Sequence, residues 1–203
     1  MVDGMNQYSP LKGKSGFKRI FNATHYSISG FKAAFAHEAA FRQVLLINLI
    51  LIPTSFFCDV SRLEQALMVA VCLLAIIVEL FNSAIEAIVD RISLERHELS
   101  KNAKDMGSAA QFVSLSIIFI VWLLILIPTS FFCDVSRLEQ ALMVAVCLLA
   151  IIVELFNSAI EAIVDRISLE RHELSKNAKD MGSAAQFVSL SIIFIVWLLI
   201  LMP

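Results

Sequence analysis

Residues 63–91 read LEQALMVAVCLLAIIVELFNSAIEAIVDR, an apolar run that continues into a polar-striped segment. At roughly 100° per helical residue, Glu79, Asn82, Glu86 and Asp90 fall within an arc of about 80° and form one polar stripe. Ionisable groups at membrane depth usually face a protein interior or a wet cavity. The stripe therefore predicts a functional site at one end of a membrane-spanning helix.

The composition of the chain indicates an integral membrane protein. Hydrophobic residues make up 59% and charged residues 17% of the 203 residues, and the mean hydropathy is +0.80, well to the apolar side of soluble proteins. The formal net charge of −2 provides no basic field for a nucleic acid, and the sequence has no zinc-type or RNA-binding motif. We expect no nucleic-acid partner.

The chain contains an exact internal repeat. Residues 49–126 reappear without a change at 124–201, and the two copies first differ at Ile127 against Met202. Because natural repeats diverge as their terminal units adapt to solvent, identity over this length indicates a recent or artificial duplication. We divide the chain into a complete unit, 1–128 (the first unit), and a duplicated partial unit, 129–203 (the second unit).

The apolar pattern predicts an all-α, polytopic membrane helical bundle. Phenylalanines and isoleucines from Phe17 to Phe35 alternate with basic residues, the pattern of an amphipathic helix in the membrane interface, with Gly30 as its expected break. Spans are expected at about 33–57, 63–80 and 108–127, and the last two recur in the repeat. The first unit thus has three spans and the whole chain five. The third span runs directly into the repeat, where Pro128 is expected to kink or end a long helix.

The distribution of basic residues predicts the orientation. Lysine and arginine gather before the first span and after the second, whereas the loop from Cys58 to Gln65 has only Arg62. Positive loops stay on the cytoplasmic side. We expect a cytoplasmic N-terminus, five spans and a C-terminus on the opposite, periplasmic side. Both copies of the polar stripe then lie at cytoplasmic helix ends.

The polar residues of the first unit offer the parts that phosphoryl transfer requires. Glu86 and Glu38 could share a Mg²⁺ ion through carboxylate oxygens, the ligands that this ion prefers. Glu79, two turns deeper, could accept a proton from a lipid hydroxyl. Arg19, Lys101 and Lys104 are candidates for a polyphosphate. The sequence has no Gly-rich phosphate loop, so side chains on helices would have to form the nucleotide site.

Two long motifs resemble one known family. They are VELFNSAIEAIVDR at 78–91 and HELS at 97–100 followed by AKDMGSAA at 103–110, with GFKRI at 16–20 and EAAFRQ at 38–43 in support. Together they strongly resemble the prokaryotic diacylglycerol kinases over nearly all of residues 16–128. The resemblance implies a small three-span enzyme of the bacterial inner membrane, a homotrimer that transfers the γ-phosphate of MgATP to diacylglycerol and yields phosphatidic acid.

The resemblance also implies roles for individual residues. Glu79 matches the catalytic base, and Glu38 and Glu86 match the carboxylates that hold metal and nucleotide. Arg42, Glu79 and Ser108 match positions that line the lipid site, and Asn82 and Asp90 support the stripe. The remaining nucleotide-contacting positions are matched by Arg19, Tyr26, Glu95, His97, Lys104 and Asp105.

The second unit departs from the family pattern. It repeats the acidic stripe and the basic pair as Glu154, Asn157, Glu161, Asp165, Lys179 and Asp180. It has no counterpart of Arg19, Tyr26, Glu38 or Arg42. We expect the second unit to hold half a site and to be inactive alone, unless another chain lends its N-terminal segment.

Three alternatives remain open at this stage. The family includes undecaprenol kinases of related pattern, although Arg91-Ile92-Ser93 and 105–108 are closer to the diacylglycerol branch. A transporter or proton relay would place acidic groups at several depths of the membrane, whereas here they gather at one side. A passive scaffold would give no reason for Lys104-Asp105 to accompany the glutamates.

Overall fold

A computed structural model describes residues 17–126, 136–170 and 172–201, and side chains from residue 25 onward except those of residues 137 and 174. The described residues form helices and connecting turns, without strands, which confirms the all-α bundle. The six helices are α1 (Phe17–His37), α2 (Ala39–Ser55), α3 (Arg62–Ile92), α4 (Glu98–Leu126), α5 (Arg137–Ile167) and α6 (Glu173–Leu201).

Among the described residues, four helices are long and apolar enough to cross a membrane. They are α3, α4, residues Leu138–Ile167 of α5 and residues Ser175–Leu201 of α6. Helix α2 has 17 residues, and it adds a fifth span if it is counted together with the part of α1 from which it is bent by 105°. The chain is a multi-pass membrane protein.

The first span differs from its predicted form. We expected a break at Gly30 and a continuous helix over 33–57, but α1 runs through Gly30 and the chain turns at Glu38 instead. Glu38 is extended, with φ −105° and ψ 113°. Arg42 Nη1 donates hydrogen bonds to the carbonyl oxygens of Phe35 at 2.8 Å and Ala36 at 3.4 Å. These bonds satisfy carbonyl groups at the end of α1 and stabilise the bend.

Capping residues determine where the long helices begin. Helix α3 starts after Ser61, whose hydroxyl accepts from Glu64 N at 3.3 Å while the Glu64 carboxylate accepts from Ser61 N at 2.8 Å. The same reciprocal capping box precedes α5 at Ser136 and Glu139. Helix α4 starts after His97, ten residues before the predicted third span, because the polar segment 98–107 is helical as well.

The core lies where α3 and α4 pack on each other and on α5. Met68 on α3 and Ile117 on α4 are fully buried there, and Trp122 Nε1 donates to the Met68 carbonyl at 3.3 Å. Helix α2 covers a further face of α3, and the most extensive contact between any two helices is that of α4 with α5. Helix α4 of the first repeat therefore packs on helices of both repeats, α3 and α5.

The junction between the repeats lies outside the described residues. The predicted long helix through 127–132, its kink at Pro128 and the division at 128/129 all fall within or beside residues 127–135. The sequence repeat itself is visible in the fold, since α5 and α6 have the same lengths as α3 and α4.

Candidate active site

Glu79 lies at the centre of an acidic cluster. Glu79 is only 1% exposed. The carboxylates of Glu86 and Glu38 lie close enough to interact electrostatically with Glu79. Glu38 reaches this position because the chain turns at that residue, so its side chain projects from the junction of α1 and α2. The three predicted carboxylates are thus brought together from two parts of the chain.

A glycine on α4 fixes the spacing between the two central helices. A Cβ atom at Gly107 would overlap the Asn82 side-chain oxygen, so no larger residue fits without displacing Asn82. Asn82 Nδ2 donates to Glu86 Oε1 at 3.2 Å. The close approach of α4 therefore presses Asn82 into a position from which it orients Glu86.

A polar pocket of about 670 Å³ lies where α3 ends and α4 begins. Four predicted nucleotide residues and one stripe residue line it: Asp90, Glu95, His97, Lys104 and Asp105. Lys104 Nζ forms an ion pair with Asp90 Oδ1 at 2.6 Å. Because both groups are partly exposed, a phosphate could compete with Asp90 for the ammonium group.

Two short-range hydrogen bonds shape the loop of this pocket. Ser93 Oγ accepts from Glu95 N at 3.0 Å, and His97 Nδ1 accepts from Leu99 N at 3.1 Å. The second bond satisfies one of the free amide groups at the start of α4. Both bonds lie within residues 93–99, the segment that connects the end of α3 to the start of α4.

A second cavity, of about 620 Å³, lies between α1 and α3. Its wall is largely apolar, and Ser83 and Ala84 on α3 face His37 and Glu38 at the end of α1. The Ser83 hydroxyl is buried without a hydrogen-bond partner. The cavity therefore has an apolar wall with a few polar groups next to the acidic cluster, which suits an amphipathic ligand.

Some predicted site residues lie elsewhere. The side chain of Arg19 is outside the described residues. Tyr26 is 65% exposed, Arg42 points to the carbonyl groups of α1, and Ser108 is exposed on α4. The residues that line the two cavities do not include Tyr26, Arg42 or Ser108.

Sequence reasoning missed Gly107, Ser93 and Ser100. Ser93 and Ser100 line the polar pocket, but a serine beside charged residues gives no distinct pattern. Gly107 did carry a signal, because a glycine inside a helix costs about 1 kcal/mol relative to alanine and often marks a close approach.

The second unit repeats the polar half of the site. Lys179 Nζ pairs with Asp165 Oδ1 at 2.6 Å, Asn157 Nδ2 donates to Glu161 Oε1 at 3.3 Å, and a pocket of about 670 Å³, with Asp180 in its wall, has equivalent lining. Glu154, however, is exposed, whereas Glu79 is buried. The repeat begins at residue 49, so residues 39–48 of α2 have no counterpart in the second unit, and none of the described helices covers Glu154 as fully as Glu79 is covered.

The donor atoms around Glu79 are suited to a hard cation. In the described part of the chain, no group of three histidine, cysteine, aspartate or glutamate side chains is arranged to hold a metal ion. Glu79 Oε2 and Asn82 Oδ1 are nevertheless buried without hydrogen-bond partners. Mg²⁺ usually takes only one or two protein carboxylates and completes its shell with water and substrate phosphates. A Mg²⁺ ion at the acidic cluster would therefore need ligands beyond the described side chains.

The chain matches known proteins over both units. The family model described as prokaryotic diacylglycerol kinase matches residues 25–126 and again residues 123–201. A Pseudomonas aeruginosa protein named diacylglycerol kinase is 69% identical over 119 residues, 59% of this chain and 97% of the relative. Proteins of the same name are 48% identical in Haemophilus influenzae, over 53% of this chain and 92% of the relative, and 45% identical in Escherichia coli, over 55% and 92%. The buried acidic cluster, the polar pocket beside it and these matches together establish that the chain belongs to the prokaryotic diacylglycerol kinase family.

Proposed function

We propose that this chain transfers the γ-phosphoryl group of MgATP to the hydroxyl group of 1,2-diacylglycerol and produces phosphatidic acid. The family assignment supports an enzyme that phosphorylates a membrane lipid, and the relatives are named diacylglycerol kinase. The observation that carries the proposal is the burial of Glu79 beside Glu86 and Glu38, close to a polar pocket with a basic side chain.

The polar pocket between α3 and α4 is the proposed nucleotide site. Lys104 and Asp105 lie on its α4 side, and Glu95 and His97 lie in its loop. Lys104 would exchange its ion pair with Asp90 for the nucleotide phosphates. Arg19 and Tyr26 on α1 are proposed to complete the site. The nucleotide would then extend along the stripe of α3 from Asp90 towards Glu86.

The acidic cluster is the proposed reaction centre. Glu86 and Glu38 would hold the Mg²⁺ ion together with the nucleotide phosphates, and the ion supplies charge neutralisation at the transferred group. Asn82 keeps Glu86 in its orientation through the 3.2 Å hydrogen bond. Glu79 accepts the proton of the lipid hydroxyl group. The hydroxyl oxygen of the lipid then bonds to the γ-phosphorus, while the bond between the γ-phosphorus and the bridging oxygen of the nucleoside diphosphate breaks.

The cavity between α1 and α3 is the proposed entrance for the lipid. Its apolar wall suits acyl chains, and Ser83 and Glu38 lie beside the acidic cluster. Arg42 and Ser108 are proposed to act at the border of this lipid site. Because Glu79 is 1% exposed, water has little access to the base, which favours transfer to the lipid over hydrolysis of ATP.

We place the enzyme in the bacterial inner membrane with its N-terminus in the cytoplasm and its C-terminus in the periplasm. Lysine and arginine are more numerous around both polar pockets than in the loop from Cys58 to Gln65, and this difference supports the orientation. The first unit is proposed to act as a homotrimer, as the resemblance implies. We also propose that the first unit ends at residue 128 and that the incomplete second unit begins at residue 129.

The repeat supplies a matched pair of variants that tests the reaction centre. Replacing Glu79→Gln removes a base, so the rate of radiolabel transfer from ATP to diacylglycerol in detergent micelles should fall by about 100-fold or more. Replacing Glu154→Gln changes the identical sequence position where the side chain is exposed, and the rate should stay at the parent value. An abolished rate in Glu154→Gln would contradict the proposal that the first unit suffices.

The same assay distinguishes the lipid substrates. Undecaprenol, offered in parallel with diacylglycerol, should be phosphorylated more slowly. Failure of the parent chain with diacylglycerol but turnover with undecaprenol would assign the other branch of the family. Failure with both lipids, in a chain that still unfolds cooperatively, would refute the kinase mechanism.

A further inference from the structure

Identical sequences bury different faces in this chain. Helices α3 and α5 have the same 31 residues, and α4 and α6 the same 29. Helix α6 packs on α5 as α4 packs on α3, but α4 also packs on α5. Because the sequences do not differ, a residue that is buried in one copy and exposed in the other reports directly which neighbour covers it.

One stripe of α5 is covered by α4 and left bare on α3. Ile152 is 2% exposed, whereas its counterpart Ile77 is 50% exposed. The covered stripe of α5 consists of Ala141, Leu148, Ile152 and Ile163. These residues belong to two hydrophobic clusters, and both clusters also contain residues of α4. Its counterparts on α3 are all exposed and span an arc of about 60° at 100° per residue; we call them the α3 stripe: Ala66, Leu73, Ile77 and Ile88.

A complementary stripe of α4 is covered by α5 and left bare on α6. Ile117 is fully buried, whereas its counterpart Ile192 is 36% exposed. The stripe of α4 belongs to the main core and consists of Ala110, Val113, Ile117 and Leu124. Its counterparts on α6 are exposed and also span an arc of about 60°; we call them the α6 stripe: Ala185, Val188, Ile192 and Leu199.

We propose that the α6 stripe of one chain packs on the α3 stripe of a second copy of this chain, in the way that α4 packs on α5 within the chain. Each chain carries one bare stripe of each kind, and the two sequences already form the most extensive helix contact of the fold. The sequence proposed to cover each stripe therefore already packs on the same sequence within the chain, in the contact of α4 with α5. Both stripes also contain alanine, and small residues allow the close backbone approach on which association in lipid depends.

The contact joins different surfaces of the two copies, so it is heterologous and extends head to tail unless the chains close into a ring. Because of the duplication, one contact of this kind lies inside the chain, between α4 and α5. The two corresponding surfaces, the α3 stripe and the α6 stripe, remain exposed on the outer helices. This inference deepens the self-association proposed above by naming the surfaces. Assembly is measured apart from phosphorylation, so the kinase mechanism can fail without affecting it.

Tryptophan substitutions on the stripes test the contact in the full chain. Ala185→Trp adds bulk where the counterpart Ala110 is fully buried, and Ala66→Trp does the same on α3, where the counterpart Ala141 is fully buried. Each should weaken association by about 10-fold or more, as overpacking of a helix contact does. The control is Leu198→Trp, because Leu198 and its counterpart Leu123 are each 42% exposed.

The readout is the concentration dependence of mass in detergent micelles, by sedimentation or native mass spectrometry, with a thermal unfolding curve for each variant. The parent chain and Leu198→Trp should associate, and Ala66→Trp and Ala185→Trp should dissociate at the same concentration while they unfold at the parent temperature. A parent chain that stays monomeric up to concentrations at which detergent-solubilised oligomers normally persist would overturn the proposal. Parent-like association of both stripe variants would overturn it as well.

Discussion

Gly107 offers the most direct test of how the helix contact controls the site. In Gly107→Ala, the new methyl group takes the space of the Asn82 side-chain oxygen, so Asn82 must move. The overpacking costs about 1–3 kcal/mol, and the better helix propensity of alanine offsets about 1 kcal/mol of it. The stability of the fold should therefore fall by about 0–2 kcal/mol, a modest change.

The effect on catalysis should be larger than the effect on stability. Displacing Asn82 breaks its 3.2 Å hydrogen bond to Glu86. A hydrogen bond to a charged group contributes about 1.5–3 kcal/mol, and each 1.4 kcal/mol corresponds to about tenfold in rate. Because Glu86 is proposed to hold the Mg²⁺ ion, kcat for diacylglycerol phosphorylation should fall by about 10-fold or more.

The second unit again provides the control. Gly182→Ala creates the same overlap with Asn157, in the unit where Glu154 is exposed and residues 39–48 have no counterpart. It should lower stability to a similar extent but leave kcat at the parent value. Equal losses of kcat in Gly107→Ala and Gly182→Ala, or a parent rate in Gly107→Ala, would refute the reasoning. In the double variant Asn82→Ala/Gly107→Ala the stability losses should not add, since one change removes the overlap created by the other.

Three further predictions concern other parts of the chain. Lys104→Gln should raise the KM for ATP about tenfold through loss of a charged phosphate contact, while Lys179→Gln should not, as initial rates at varied ATP would reveal. Arg42→Ala should free the end of α1, lowering stability by about 1 kcal/mol in detergent unfolding; an unchanged midpoint would contradict its role at the bend. Ser61→Ala and Ser136→Ala should each cost about 1 kcal/mol through loss of equivalent caps, and unequal losses would indicate that the two helix starts differ in environment.

The helices were predictable because their signals are local. The apolar run of α3 and the capping pair Ser61 and Glu64 specify where that helix begins and how it crosses the membrane. The stripe from Glu79 to Asp90 follows from helical spacing alone. The pocket residues of 90–105 also lie close together in sequence, so a short loop between two helices brings them together.

The bend at Glu38 was not predictable in the same way. Residues 35–40 contain alanine, histidine and glutamate but neither proline nor glycine, and their propensities favour a continuous helix. The turn depends on tertiary contacts such as the Arg42 hydrogen bonds to Phe35 and Ala36. Gly30 was expected to break the helix, but it lies inside α1, at a position where an added Cβ atom would meet no other atom within 4 Å.

Burial is a further property that the sequence did not determine. Glu79 and Glu154 have identical surroundings in sequence, yet one is buried and the other exposed. The difference arises because α2 covers α3, whereas none of the described helices takes that place on α5. A repeat of a helix pair therefore reproduces its caps and its pockets but not the environment of its central carboxylate.

The twin pockets have a consequence for stoichiometry. Each is about 670 Å³ in volume, so both should take up a nucleotide, the second more weakly because its unit has no counterpart of Arg19, Tyr26 or Glu38. Equilibrium dialysis should count two bound nucleotides for every chain, whereas active-site titration should count one. The surplus site would act as a local reservoir, and the affinity read from binding would then differ from the affinity read from turnover.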